Sequence, residues 1–513
     1  MFYHRALAAA KRLAWQQQSG QAARLHYIAF ILLTLLGAGL RLYNLTAQPL
    51  RQDELYTAQL VLHGLGMIWS TSFHEHSLPL SNALFWLAGQ FGGVSAATLR
   101  AVSVAEAMVA LVFYARYCGR VIGGWAAVCA VGLFAVAPLA IIYAQDARPY
   151  ALPSLALVLS LLAYERLRQD SRLANWLLYA ACAVLAAQSH YILVPLILAQ
   201  LLALLILEGR RWRVAAGGAA TCVAMAASLA VFSAGAQAET RFWLTVRSSI
   251  EFIPAMQVML SGDGSGGGPL IRALLLGAAA IACAAACADL ERWQTTLPHL
   301  LQIAAMLAAS FVLLPLVGVF VPEYEGRQFQ ILLPSVFVCA AVGLRWLALA
   351  RARAGSVAAA ALLGVICVAS ALALTAYFQS YHKSAEADAV QKVLARAHPG
   401  DVAVVDCPAF SSSVALAYYA PQMAYYRCLD DTRGVLRFSA HSPGASPNAR
   451  LLDEMLTHVA DLRQVESQRQ IWLFTRQDSP PPLLSALLRQ YRQRTQFGQG
   501  LNRVILLERS GHS

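Results

Sequence analysis

Residues 26–54 read HYIAFILLTLLGAGLRLYNLTAQPLRQDE. An apolar run long enough to cross a bilayer ends near Arg41, and two acids, Asp53 and Glu54, follow it closely. A carboxylate pair at the mouth of a membrane span, instead of on a solvated surface, indicates a functional site. Gly37-Ala38-Gly39 runs directly into Arg41 without a convincing cleavage site, so we expect the run to remain as an uncleaved anchor.

The composition extends this reading to most of the chain. Hydrophobic residues make up 58% of the 513 positions and charged residues only 13%, against about 25% charged in ordinary soluble domains. A span needs roughly 17 to 25 mainly apolar residues, and about eleven runs meet or approach this length. Their centres lie near residues 33, 108, 132, 157, 183, 199, 225, 278, 309, 340 and 366. The composition therefore excludes a soluble globular protein and predicts an α-helical polytopic membrane protein.

The arginines predict the orientation, because they resist translocation and accumulate in cytoplasmic loops. Alternate loops are rich in them, with Arg116 and Arg120, then Arg166, Arg168 and Arg172, then Arg210, Arg211 and Arg213, then Arg292, then Arg345, Arg351 and Arg353. This pattern predicts a cytoplasmic N-terminus and an extracytoplasmic C-terminus. It also accounts for much of the net charge of +12 without a nucleic-acid partner, while the arginines of the C-terminal part face either solvent or membrane lipids.

The chain changes character after the last apolar run. Residues 1–379 are predicted to form the membrane domain, and residues 380–513 carry the charge, turns and short alternating segments of a small soluble α/β domain. Helical patterns at 384–397, 447–463 and 482–493 alternate there with strands at 402–405, 471–474 and 504–507. Cys407 and Cys428 are the two cysteines of this domain, and an oxidising compartment favours their pairing as a disulfide.

Several motifs resemble those of bacterial members of glycosyltransferase family 39, which belongs to the GT-C superfamily. They are the Asp53-Glu54 pair after the first span, a Pro-Leu turn at Pro79-Leu80, and the string Gln145-Asp146-Ala147-Arg148-Pro149-Tyr150 after the third span. Ser189-His190-Tyr191 closes the fifth span, and Arg327 opens the tenth. The resemblance extends over roughly residues 26–380.

This resemblance implies a multi-pass enzyme of the bacterial inner membrane. Such an enzyme takes a sugar from a polyprenyl-phosphate carrier, in a bacterium undecaprenyl phosphate, and passes it to a glycan, lipid or protein acceptor on the periplasmic side, usually with inversion. The C-terminal domain would then be periplasmic. The sugar and the acceptor are left open by the sequence.

Asp53 has the chemistry that such a transfer needs. A base must accept the acceptor's proton, and a carboxylate within hydrogen-bond reach can do so. Glu54 is a second candidate, which either acts directly, orients Asp53 or binds a sugar hydroxyl. The competing structural interpretation is that one of the two acids caps a short helix starting at Leu55, because carboxylates favour helix N-termini.

A departing polyprenyl phosphate keeps its negative charge, and a fixed guanidinium can pair with two of its oxygens. Arg148 and Arg327 stand at span ends on the predicted outer side, with Tyr150 and His190 as further candidates for binding the donor phosphate. The alternatives are snorkelling or pairing with a neighbouring acid for the arginines, and interfacial anchoring for the aromatic end of the fifth span.

His74-Glu75-His76 raises the question of a metal. His74 and His76 are suitable zinc ligands, but two histidines at this spacing provide only part of a coordination shell. The alternative is that Glu75 and His76 hydrogen-bond substrate or the loop backbone ahead of Pro79. The resemblance implies that no cofactor is required. This chain reads His76-Ser77-Leu78-Pro79-Leu80 where the family commonly has His-Pro-Pro-Leu, so the equivalence of His76 is open.

Two other classes of protein remain compatible with the sequence. A transporter or flippase of lipid-linked glycans would place charged groups near mid-span, as Glu106 does. A non-catalytic assembly subunit would use its soluble domain as a binding module. The clustering of acids, arginines and histidines at span ends favours chemistry at the membrane interface.

Overall fold

The structure is a computed structural model of the 513-residue chain. It describes residues 20–74, 78–208, 211–233, 268–308, 326–350, 352–380, 384–406, 411–430, 437–441, 459–460, 468–476, 482–499 and 502–510, with the single residues 260 and 465.

Helices dominate the region up to residue 380. They are α1 Gly20–Leu42, α2 Gln52–His63, α3 Leu65–His74, α4 Pro79–Gly92, α5 Ala96–Val121, α6 Gly124–Ala135, α7 Pro138–Ala144, α8 Ala151–Gln169, α9 Leu173–Ser189, α10 Leu193–Leu207, α11 Arg211–Ser233, α12 Pro269–Cys287, α13 Trp293–Ala308, α14 Leu333–Ala350 and α15 Ala352–Ser380. Two short 3-10 helices, Leu290–Arg292 and Gly326–Leu332, precede α13 and α14. Each predicted apolar run is centred in one of these helices, except the ninth, whose centre at 309 lies outside the described residues.

The prediction of a multi-pass membrane protein is confirmed. Six of the described helices are long and apolar enough to cross a membrane, and a seventh span results if α6 and α7, which meet at a bend of 50°, count as one. α9 and α10 are shorter apolar helices.

The chain forms two compact units. The first comprises Met1–Leu45, Trp69–Leu84 and Arg100–Tyr381, and the second Thr46–Ile68, Phe85–Leu99 and His382–Ser513. The second unit thus combines the C-terminal region with two earlier segments, one of which carries Asp53 and Glu54. The predicted boundary at residue 380 divides the sequence once. The two units are instead defined by contacts between residues, and each therefore contains segments from different parts of the sequence.

The first unit is a helix bundle around one large apolar core that runs from α5 to α15. Small residues let its helices approach closely, as is usual where helices pack in a bilayer. At Gly343 in α14, a Cβ atom would overlap the carbonyl oxygen of Ala282 in α12, so only glycine fits this crossing.

Within the described residues, the second unit contains a seven-stranded mixed sheet, which confirms the predicted small α/β domain. The strands are β1 Val402–Val405, β2 Ala424–Asp430, β3 Arg437–His441, β4 Val459–Ala460, β5 Gln470–Arg476, β6 Tyr491–Gln499 and β7 Asn502–Arg509, in the order β4-β3-β2-β1-β5-β7-β6. β1 runs parallel to β2 and β5, and the other pairs are antiparallel. The described helices of its C-terminal part are α16 Ala385–Leu394, α17 Ser411–Tyr419 and α18 Pro482–Leu487.

The sequence placed some of these elements wrongly. The helical pattern at 482–493 ends at Leu487, and β6 begins at Tyr491. Of the pattern at 447–463, only Val459–Ala460 is described, as a strand. Amphipathic spacing in short segments does not separate a helix from an edge strand, and pairing with β7 and β3 decides the outcome.

Cys428 on β2 is disulfide-bonded. Its predicted partner, Cys407, lies outside the described residues, so the identity of the pair stays a prediction. The eight cysteines of the apolar region are free.

Candidate active site

The acidic pair lies at the start of α2, in the second unit. Arg51 is the N-cap, and Glu54 accepts a hydrogen bond from the Arg51 backbone N–H at 3.0 Å through Oε2. Glu54 is fully buried, so its position and partner are those of a helix-capping carboxylate. The helix begins at Gln52, three residues before the start expected from the sequence.

Asp53 differs from Glu54 in exposure and contacts. Its side chain is 34% exposed, and its Oδ2 lies 3.3 Å from Nη2 of Arg51. Thr57 Oγ1 lies 3.4 Å from the Asp53 carbonyl oxygen, one turn further along α2. Glu54 is thus a buried capping residue of α2. Asp53, in contrast, is accessible at the first turn of this helix and is oriented by the Arg51 guanidinium.

The Gln145–Tyr150 string lies in the first unit, between α7 and α8. The Arg148 N–H donates to the Asp146 carbonyl at 2.8 Å, and the Tyr150 N–H donates to the Arg148 carbonyl at 2.7 Å. In each turn the N–H of one residue donates to the carbonyl two positions earlier, which is the hydrogen bond of a γ-turn. They fold the segment so that half-buried Arg148 stands between two anchored neighbours.

Buried hydrogen bonds of Gln145 anchor the N-terminal end of this segment. Gln145 Nε2 donates to the carbonyls of Leu40, Arg41 and Tyr43 at 3.3, 3.1 and 2.7 Å, at the C-terminal end of α1. Tyr377 in α15 donates to Gln145 Oε1 at 3.1 Å.

Asp146 and Tyr150 hold the rest of the segment. Ser103 in α5 donates to the Asp146 carbonyl at 2.7 Å, and Gln330 Nε2 donates to the Tyr150 carbonyl at 3.1 Å. The Tyr150 ring packs edge-on against Tyr143 with centroids 4.8 Å apart. The structure therefore provides a rigid frame from four helices around Arg148.

His190 is the C-cap of α9 and is half-buried. Its Nδ1 accepts the Ile192 N–H at 3.3 Å, and its ring packs 4.7 Å from that of Tyr191. In the neutral ring this contact assigns the proton to Nε2, which then acts as a donor. A donor of this kind suits a phosphate oxygen.

The remaining predicted site residues are described only in part. Arg327 lies in the 3-10 helix Gly326–Leu332 and His74 ends α3, but their side chains are outside the description. Glu75 and His76 lie outside the described residues altogether. Among the residues that are described, no three His, Cys, Asp or Glu side chains cluster as a metal site would require. The metal prediction therefore stays untested.

Glu106 is the notable acid within a predicted span. Its side chain is 7% exposed, and neither carboxyl oxygen has a hydrogen-bond partner at normal distance within the described part of the chain. A weaker interaction comes from the Leu152 backbone N–H at the start of α8.

Some contributing residues carried no recognisable signal in the sequence. Arg51 was hidden by its position before the acids, and Tyr377 and Gln330 join the Gln145–Tyr150 segment only through the fold. Gln145 is part of the quoted string, but nothing in the string shows that it covers the end of α1.

The described helices define the class as a multi-pass membrane protein. A family model supports the resemblance predicted from the motifs over part of the chain. Residues 75–235 match the family model described as dolichyl-phosphate-mannose-protein mannosyltransferase. No curated protein sequence matches the chain significantly.

Solved structures show the same fold at low sequence identity. ArnT from Cupriavidus metallidurans in the apo state is 12% identical with a TM-score of 0.58, over 94% of this chain and 98% of that one. ArnT bound to undecaprenyl phosphate gives a TM-score of 0.56 at 12% identity, over 95% and 98%. The Archaeoglobus fulgidus oligosaccharyltransferase in complex with Zn and sulfate is 15% identical with a TM-score of 0.50, over 76% and 61%.

Proposed function

We propose that this protein transfers a sugar from a polyprenyl-phosphate carrier to an acceptor hydroxyl on the periplasmic side of a bacterial inner membrane, with inversion at the anomeric carbon. The observation that carries the proposal is the contrast at the start of α2. Glu54 is buried and caps its own helix, whereas Asp53 is one-third exposed and oriented by Arg51.

Asp53 is the proposed base. The acceptor oxygen attacks the anomeric carbon while its proton passes to the Asp53 carboxylate. The bond between that carbon and the phosphate oxygen breaks, and its electron pair leaves with the polyprenyl phosphate. A single displacement of this kind, with attack opposite the leaving group, inverts the anomeric configuration.

Arg148 is the proposed group for the leaving phosphate. Its guanidinium stands on a segment fixed at both ends, so little reorganisation is needed when charge develops on the phosphate. Arg327, Tyr150 and His190 are proposed to complete this site, the last through its Nε2 proton. Glu75 and His76 are proposed to order substrate in their loop.

The similar structures support a carrier of this chemistry. ArnT is described bound to undecaprenyl phosphate, and the archaeal protein is an oligosaccharyltransferase. By analogy we assign undecaprenyl phosphate as the carrier, while glycan, lipid and protein acceptors all fit the proposal. No cofactor is proposed.

The test is transfer of a labelled sugar from a panel of polyprenyl-phosphate donors by the purified full-length protein, measuring both the labelled product and the released polyprenyl phosphate. Asp53→Asn removes the base and should lower kcat at least about 100-fold. Arg148→Ala should lower kcat/KM about 100-fold to 1000-fold by removing charge stabilisation of the leaving group.

Arg172→Ala is the matched control for the arginine. Arg172 is well exposed and pairs with Asp170 in the loop before α9, so its loss should leave transfer unchanged. Equal loss of activity in Arg172→Ala and Arg148→Ala would contradict the assigned role. If the folded native protein moves intact glycolipid between leaflets and never cleaves the sugar-phosphate bond, the proposed function is wrong.

Glu106 is the observation that favours transport as a second candidate. Glu106 is buried and has no hydrogen-bond partner at normal distance among the described residues, and an acid in such a place within a span often marks a substrate or proton pathway. Glu106→Gln keeps the side-chain shape and removes the charge. Transport predicts loss of glycolipid movement in this variant, whereas the transferase predicts retained sugar transfer.

A further inference from the structure

The C-terminal domain contacts the backbone just ahead of the proposed base. Leu50 and Tyr419 both belong to the second unit, although 369 positions separate them in the sequence. The Leu50 N–H donates to the Tyr419 hydroxyl at 2.8 Å, and that hydroxyl lies 3.5 Å from the Leu50 carbonyl oxygen. One side chain of the soluble domain thus holds both backbone groups of a single residue.

Leu50 needs such a partner. It is 1% exposed, it precedes the N-cap Arg51, and it lies outside any helix or strand that would pair its backbone. A buried backbone N–H without a partner costs free energy comparable to a lost hydrogen bond. A tyrosine hydroxyl both accepts and donates, so it satisfies the two groups together.

Tyr419 is itself held in place by the soluble domain. It ends α17, which connects the parallel strands β1 and β2 and packs against α2. Its ring packs edge-on against Tyr418 with centroids 4.9 Å apart, and Tyr418 donates to the Val94 carbonyl at 3.1 Å. Burial raises the pKa of Tyr418, so this hydroxyl remains a protonated donor at neutral pH.

We propose that Tyr419 is a positioning residue that fixes the start of α2, and through it the Asp53 carboxylate, so that the C-terminal domain supplies part of the active-site geometry. Asp53 is three residues beyond Leu50 on the first turn of α2. This inference rests on the proposed function, in which Asp53 acts as the base. It assigns the C-terminal domain a positioning role in catalysis through Tyr419, although its sequence contains no recognisable catalytic motif.

The test compares Tyr419→Phe with Tyr418→Phe in the full-length protein. Each variant removes one hydroxyl from the same helix and keeps the ring, but only Tyr419 bonds the segment that leads into Asp53. In Tyr419→Phe, kcat should fall between about tenfold and a hundredfold, since small displacements of a catalytic group have effects of this size. The donor KM should stay within about twofold of the native value, because the Arg148 frame is untouched.

Hydrogen exchange provides a readout that does not depend on substrate. In Tyr419→Phe the Leu50 amide should lose its protection, measured in peptides covering residues 46–55, whereas Tyr418→Phe should keep it. Matching melting temperatures for the two variants would show that both remain folded.

The outcomes separate the inference from the proposed function. Unchanged kcat in Tyr419→Phe, or equal losses of kcat in the two variants, would overturn the positioning role. A native protein that transfers no sugar from any donor would overturn the proposed function and the catalytic part of this inference. Selective loss of Leu50 protection would even then support the contact between the soluble domain and the acidic segment.

Discussion

The guanidinium of Arg41 covers the C-terminal end of α6, where it donates to the Phe134 carbonyl. α6 ends at Ala135, and α7 begins at Pro138 after the extended residue Ala137, so no continuing helix pairs the last carbonyls of α6, among them that of Phe134. Arg41 Nη2 donates to that carbonyl at 3.3 Å, and Nη1 donates to the Ala135 carbonyl at 2.9 Å. Arg41 is fully buried, so this arginine satisfies a break in a membrane helix and is not part of the proposed phosphate site.

We expect Arg41→Met to destabilise the protein by on the order of 2 kcal/mol, because it leaves buried carbonyls without a donor. The measurement is thermal unfolding of the detergent-solubilised protein, followed by tryptophan fluorescence. Sugar transfer by the fraction that remains folded should stay close to the native rate.

A double-mutant cycle provides the control. Pro138→Ala supplies a backbone N–H at the break and allows α6 to continue into α7, so the destabilisation caused by Arg41→Met should be smaller in that background. Strictly additive effects of the two substitutions would show that Arg41 is not coupled energetically to the break at Pro138.

Substitutions of the two acids at the start of α2 should have different effects, one mainly on stability and the other mainly on kcat. Glu54→Gln keeps an acceptor for the Arg51 N–H but removes a charge from the helix N-terminus, so it should lower stability by about 0.5–2 kcal/mol and reduce kcat by less than about tenfold. Asp53→Asn should lose at least about 100-fold in kcat with little change in melting temperature.

The opposite result has a definite meaning. If Glu54→Gln abolishes transfer at native stability while Asp53→Asn retains it, then Glu54 is the base and the contrast in exposure between the two acids has been misread.

Metal dependence is tested by a chelator. We expect transfer to continue at the native rate after dialysis against EDTA, because the proposed step uses only Asp53 and the phosphate-binding groups. His74→Ala is the paired variant, and it should behave alike before and after dialysis. Activity that disappears with EDTA and returns with Zn²⁺ or Mn²⁺ would instead support the His74 and His76 site.

The features that could be predicted from the sequence are those that depend on neighbouring residues. Long apolar runs located the membrane helices, because a bilayer requires about 17 to 25 apolar residues wherever a span lies. The competing interpretation of a helix cap at the acidic pair also proved informative, since Glu54 does cap α2. Strong local constraints of this kind leave the chain few alternatives.

Contacts between distant parts of the chain were not predictable. Tyr419 is one of several tyrosines in the C-terminal domain, and nothing near it in the sequence indicates a bond to Leu50. From the sequence, Arg41 is an ordinary arginine at the end of a span. Only the structure shows that the break between α6 and α7 lies beside it. In both cases the partner is a backbone group, which any residue type offers, so the sequence carries no complementary signal.

Gln145 leads to the last prediction, because its carboxamide joins two helices, α1 and α15, to the segment that holds Arg148. Gln145→Glu keeps the shape but replaces the donating amide by an oxygen facing the carbonyls of Leu40, Arg41 and Tyr43. We expect a loss of stability above about 2 kcal/mol and a raised donor KM. Tyr377→Phe removes only the bond to Gln145 Oε1 and should cost about 1 kcal/mol with a KM near the native value. If both variants raise the donor KM equally, the link to α15 and not the end of α1 sets the position of Arg148.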